Sequence, residues 1–252
     1  VKLRIKSILQ HLLGLQLYLF LFSLVKIRTL RWDKHESDFL TFLEMIPSQG
    51  IIIDVGANIG IMTVLFARNA PHSTVYAFEP MPTNFQVLKR VVQWYRLENA
   101  IVFPYAIGNE EKTITIMMPV AGNVRLQGLS FVVGENNTAQ LEGDVATAQC
   151  KRLDDVMSLF SNDSTGLTAL KIDVEGYEFY VLDGARKMLK TYRPLIYCEL
   201  SNKQDECFQL LRELEYTVKV LQDKKLLDFD PAIHGNNGNF FFIPLDKNQI
   251  SR

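Results

Sequence analysis

The sequence predicts a doubly wound α/β fold built on a mostly parallel sheet. Three observations predict it. Short apolar, β-branched runs alternate with segments whose apolar residues recur at helical spacing. Two glycines, Gly56 and Gly60, follow the first run at once, as a tight strand-to-helix turn requires. Four runs also end on a carboxylate (Asp54, Glu79, Asp173 and Glu199), the rim where such sheets place their sites.

Each element has its own signal. Phe39, Phe42, Leu43 and Ile46 mark a helix over 36–46, leading into a first strand, Ile51–Val55. A helix runs from about Ile59 to Arg68 and stops before Pro71. Thr74–Phe78 is the second strand, followed by a helix over 82–96 with Phe85, Leu88, Val91, Val92 and Tyr95 on one face. The third strand is expected from Ile101 through Gly108. The pattern then breaks, and glycines at 122, 128, 134 and 143 punctuate a β-rich insertion over 109–152, with strands at 113–117 and 129–133. That insertion reads either as a substrate cover or as an edge hairpin. Strands resume at 170–174 and 194–200, each with a helix after it, and the sheet closes with Tyr216–Leu221 and Asn239–Pro244.

The chain has 252 residues, 48% of them apolar, with a net charge of −1, which suits one catalytic domain over 36–252. That balance hides an asymmetry. Residues 1–31 carry six basic side chains and no acidic one, leaving 21 basic and 28 acidic groups elsewhere. The acidic remainder offers no footprint for a phosphate backbone, so nucleic acid is not an expected partner. The basic head, 1–35, contains an apolar run from Leu12 to Val25, too short to span a bilayer comfortably. It fits a helix lying in the membrane interface, or one packed on the domain or on a second copy. Three irregularly spaced cysteines give no disulfide framework, so a cytoplasmic setting is expected, with peripheral contact at the inner face of the membrane. Two triplets, Asn136–Thr138 and Asn162–Ser164, match glycosylation sequons, as chance often provides.

The turn after the first strand narrows the ligand. A dinucleotide turn needs glycine where Asn58 and Ile61 stand, and a phosphate loop needs a Lys-Ser/Thr pair that is missing. Glu79, at the end of the second strand, can accept hydrogen bonds from both ribose hydroxyls. A nucleoside without a pyrophosphate fits both facts.

Asp54–Gly60, Glu79-Pro80, Tyr105–Gly108, Lys171–Glu178 and Glu199 occur in this order, Lys171-Ile172-Asp173-Val174-Glu175-Gly176 being the most specific. The series resembles the FkbM family of class I S-adenosylmethionine-dependent methyltransferases over roughly residues 50–200. The resemblance implies a seven-stranded Rossmann-like sheet with its last strand antiparallel, and methyl transfer from S-adenosylmethionine to a hydroxyl, often on a sugar. It also implies a cofactor site at Asp54, Gly56, Ala57, Asn58, Gly60, Glu79, Pro80, Ala106, Ile107 and Asp173. In it, Asp54 stands near the ammonium of the methionyl tail, and Ala106 and Ile107 border the adenine.

The acceptor must lose a proton as it attacks, which a carboxylate, a histidine or a metal can assist. Asp173 is the candidate to face the reacting methyl. Glu175, Glu199 and the loop histidine His234 are candidate bases. Mg²⁺ or Mn²⁺ held by the acids is an option rather than an expectation, and no metal ligand is assigned. The expected acceptor is a saccharide, free or lipid-linked. The rival readings are a non-catalytic nucleoside-binding module and a nicotinamide-dependent oxidoreductase.

Overall fold

A computed structural model describes residues 2–134, 142–157, 166–235 and 238–245. Both glycosylation sequons lie outside the described residues. The chain opens with helices α1 (Lys2–Leu13) and α2 (Leu15–Thr29), bent by 119° at Gly14, which has a positive φ of 72°. Helix α3 (Ser37–Met45) leads to β1 (Ile51–Val55), then α4 (Ile61–Asn69), β2 (Thr74–Phe78), α5 (Pro82–Trp94) and β3 (Ala100–Phe103). Next come β4 (Tyr105–Ile107), β5 (Lys112–Ala121), β6 (Val124–Arg125), β7 (Phe131–Val132) and β8 (Gly143–Lys151). The remainder comprises α6 (Leu153–Val156), β9 (Leu167–Ile172), α7 (Glu178–Asp183), α8 (Arg186–Tyr192), β10 (Leu195–Glu199), α9 (Gln204–Glu213), β11 (Tyr216–Gln222), β12 (Lys225–Asp228), α10 (Pro231–His234) and β13 (Asn239–Pro244).

The main sheet has eight strands among the described residues, in the order β12-β11-β13-β10-β9-β1-β2-β3. Strands β1, β2, β3, β9 and β10 are parallel, and β13 runs antiparallel between β10 and β11. The chain winds outward from β1 through β2 to β3, then returns to the other side of β1 as β9. The strand order therefore reverses at β1, and the crevice for a ligand opens above β1 and β9.

Three sequence expectations are corrected. The sheet has eight strands rather than seven, because β11 turns back through Asp223 and Lys224 into β12. Both turn residues have positive φ, the two-residue hairpin geometry usually marked by Asn-Gly. The third strand is two strands, since Pro104 has no N–H to donate and the chain leaves the main sheet there. Past that point β4 pairs with β8 in a second sheet, ordered β4-β8-β5-β6. The expected strand at 129–133 shrinks to β7, preceded by a 3-10 turn at Gln127–Leu129.

Side chains alternate between the two faces of the main sheet. Ile53, Val55, Leu170 and Ile172 pack beneath α7, α8 and α9. Ile52, Ala169, Tyr197 and Phe241 meet Phe39, Phe42 and Phe66 of α3 and α4 on the other face. Helix α2 lies against α4 and α5 through Tyr18, Leu19, Phe20, Leu24 and Ile27, all buried. Packing on the domain therefore accounts for one side of the apolar head. Leu19→Ala should cost about 2–5 kcal/mol in urea unfolding, whereas Leu21→Ala, on the open side of the same helix, should stay within about 0.5 kcal/mol.

Candidate active site

The C-terminal ends of β1 and β9 are joined by a buried ion group. Asp54 and Lys171 are register partners on adjacent parallel strands and point to the same face. Lys171 Nζ lies 3.2 Å from Asp54 Oδ1 and 3.4 Å from Asp173 Oδ2, and donates to the Gly56 carbonyl at 2.9 Å. The other Asp54 oxygen accepts from Thr63 Oγ1 of α4 at 2.6 Å. Burial pulls the lysine pKa down, but Asp54 and then Asp173 more than reverse this and raise it, so the ammonium persists.

Asp54 is fully buried and does not itself line either cavity beside it. It anchors Lys171, which in turn tethers Asp173 at the cleft wall. Both glycines take the positive φ that the tight turn requires, and each also stands where a side chain would not fit. A Cβ on Gly56, at φ 78°, would overlap the Asp173 carbonyl oxygen, and one on Gly60, at φ 85°, would press on Leu88 of α5. Gly56 also lines both cavities.

A cleft opens over this rim. Gly56, Asn58, Glu79, Pro80, Ala106, Ile107, Asp173 and Glu175 line it. Sequence reasoning did not single out Asn84, Gln127, Ser130, Phe131 and Tyr177, which also line it. Of these only Asn84 left a signal, a polar residue four positions before Leu88 on the buried side of α5. The insertion thus walls the Glu79 end of the cleft.

Glu79 is 5% exposed, and both its oxygens are engaged from one side. Oε2 accepts from the Asn58 N–H at 2.8 Å, and Oε1 from the Met81 N–H at 2.9 Å. Asn58 reaches that position in a left-handed conformation, φ 50°. Burial pushes the Glu79 carboxyl up to about 7 against these donors. Each carboxylate oxygen keeps further acceptor capacity toward the cleft.

Beyond Asp173 the chain turns at Glu175, again left-handed at φ 49°, and Gly176. Buried Glu178 accepts from the Gly176 N–H at 2.8 Å and from Ser201 Oγ at 3.1 Å, bracing the turn. Glu175 is pushed up to about 7, first by burial and then by the charges of Asp173 and Glu199. Glu199 is pushed upward by partial desolvation and by the charge of Asp173, and it does not line the cleft. His234 sits apart. Its ring accepts from the Asp230 N–H at 3.0 Å and faces Gln222 of β11, four strand spacings or roughly 19 Å from β1. Among the described residues, no group of three acids, histidines or cysteines converges on a cation site.

A second cavity adjoins the first through Gly56, Asn58 and Asp173 and is closed by Phe22, Lys26 and Leu30 of the head with Glu36. Lys26 is paired there with Asp33 at 2.7 Å and stands 3.9 Å from Glu36.

The sequence pattern of a methyltransferase family, the Methyltransferase FkbM domain, matches residues 54–221, more than half the chain and all of the rim just described. The chain belongs to the FkbM methyltransferase domain family. Methyltransferase 1 of Beauveria bassiana (strain ARSEF 2860) is 28% identical over 152 residues, covering 55% of this chain and 59% of that protein. Methyltransferase sdnD of Sordaria araneosa is 28% identical over 162 residues, covering 55% of this chain and 61% of that protein. This chain therefore spans about three fifths of the length of these curated relatives. Among solved structures, the Methyltransferase FkbM from Methylobacillus flagellatus KT superposes with a TM-score of 0.49 at 16% identity, covering 77% of this chain and 44% of that one. Within the FkbM match lie Asp54, Lys171, Asp173 and Glu79, whereas Lys26 and Glu36, which close the second cavity, lie outside it.

Removing only the lysine leaves two carboxylates facing each other, one of them fully buried. Lys171→Met should therefore cost about 3–5 kcal/mol in chemical denaturation at neutral pH, far more than its added apolar bulk returns.

Proposed function

We propose that this protein transfers a methyl group from S-adenosylmethionine to a hydroxyl of a saccharide, glycolipid or related metabolite. One observation carries the reading: a buried carboxylate, Glu79, is fixed by backbone N–H groups in the wall of a cleft that Asp173 also lines. Family membership supports methyl transfer as the reaction class.

The residues fit such a cofactor. Glu79 would hold the ribose hydroxyls, Ala106 and Ile107 would border the base, and Asn58 and Gly56 would carry the chain toward Asp173. When bound, the cofactor supplies an electrophilic methyl carbon on a sulfonium. The protein's own part is alignment and proton removal. Lys171 fixes the Asp173 carboxylate, so that its negative charge stands ready beside the reacting centre. Glu175, on the same cleft wall with a pKa near neutrality, takes the proton that the acceptor hydroxyl releases. Glu199 stands beyond the cleft and suits hydrogen bonding to acceptor hydroxyls. Asn58 and Ile61, standing where a dinucleotide turn carries glycine, weigh against a nicotinamide cofactor.

Calorimetric titration with S-adenosylhomocysteine tests the reading. Glu79→Ala should weaken binding by at least about tenfold, the scale of a lost charge-assisted hydrogen bond. Asp173→Asn should spare binding and lower turnover; equal loss of binding in both variants would contradict the assigned roles.

The pH dependence has a defined sign. Ribose hydroxyls donate more strongly to ionised Glu79 than to its neutral acid, so affinity should be highest above about pH 7 and fall as pH drops through it. Turnover at saturating cofactor should lose activity in the same direction through Glu175, and Glu175→Gln should remove that limb.

A further inference from the structure

We propose that the outward faces of α1 and α2, with an arginine-lined groove beside them, form a docking surface for an anionic lipid bilayer. Helix α1 is mounted inside out. Its buried contact is polar: Gln10 donates to the Arg125 carbonyl at 3.2 Å and accepts from the Arg125 N–H at 3.1 Å. Its apolar stripe, Ile5, Ile8, Leu9 and Leu12, follows helical spacing and faces solvent, with Leu12 73% exposed. An amphipathic helix ordinarily turns that stripe to a core.

Helix α2 adds a second exposed row. Its inner face packs on the domain, while Leu17, Leu21 and Val25 form an exposed row at four-residue spacing. The row leads to Arg28 and to Trp32, which is 74% exposed. Arg28, Arg31 and Arg68 line one shallow groove with Trp32, and among the described residues none of the three makes an ion pair. Exposed apolar rows of this kind, edged by an aromatic ring and unneutralised arginines, match acyl chains beneath phosphate headgroups.

Charge decides between the possible occupants. A second copy meeting this face symmetrically would set two heads together, each with six basic and no acidic side chains over residues 1–31. An anionic bilayer neutralises the same charges. No single helix among the described residues is long and apolar enough to cross a membrane. With the inner face of α2 packed on the domain, the surface lies on the bilayer. Phe22 and Lys26, one position round the helix from Leu21 and Val25, line the second cavity, so that cavity borders the docking face. The surface stands on its own geometry and does not depend on the reaction proposed above.

Flotation of the protein with vesicles tests it, comparing phosphatidylcholine alone with phosphatidylcholine–phosphatidylglycerol mixtures. The wild type should float with the anionic vesicles and be released by high salt. The double variants Ile8→Glu/Leu12→Glu and Arg28→Glu/Arg31→Glu should each lower the bound fraction by about tenfold or more. All four positions are exposed, so thermal unfolding should be unchanged and serves as the folding check. A wild type that ignores both vesicles, or variants that float as well as it does, would overturn the proposal. Concentration-dependent self-association abolished by Ile8→Glu/Leu12→Glu, without vesicle binding, would overturn it in favour of a second copy.

Discussion

The structure turns on one buried ammonium. Lys171 ties together the ends of β1 and β9 through Asp54, the Gly56 carbonyl and Asp173, all within 3.4 Å. A buried ion group of this kind adds little net stability over an apolar replacement of the whole set, because desolvation cancels most of the attraction. What it provides is position. Asp54 can be fully buried only because Lys171 neutralises it, and Asp173 is held at the boundary of two cavities because the same ammonium reaches it. The tight approach of Gly56 to the Asp173 backbone follows from the same closure, reinforced by the Asp173 N–H donating to the Val55 carbonyl at 3.1 Å.

Around that fixed point the rim divides its carboxylates by environment. Asp54 is structural, Asp173 is tethered, and Glu79 and Glu175 sit in places that raise their pKa to about 7. Glu79 owes this to burial and Glu175 to burial and neighbouring charge. Four acids in one sheet rim thus differ in kind, as the proposed division into an anchor, a ribose acceptor and a proton acceptor requires.

Much of this was legible in the sequence, and the limits have physical causes. Strands β1, β2, β9 and β10 announce themselves as apolar runs because both their faces are covered. The strand-end acids mark the rim, and Glu79 is found where its position predicts. Burial of Asp54 was not legible, since it depends on a register between strands more than a hundred residues apart. The same holds for the part of Lys26 and Glu36 in closing the second cavity. Pro104 was a readable stop that the apolar run around it masked. The β11–β12 hairpin carries Asp-Lys where Asn-Gly would have declared it, and His234 shows that a histidine in a suitable loop says nothing about which edge of the sheet the loop serves.

The most direct test is a crystal structure of the protein with S-adenosylhomocysteine. The ribose hydroxyls should lie on Glu79 and the sulfur toward Asp173, with the Asp54–Lys171–Asp173 group unchanged. A ligand whose ribose avoids Glu79, or whose amino-acid end displaces Lys171 from Asp54, would contradict the roles assigned to this rim.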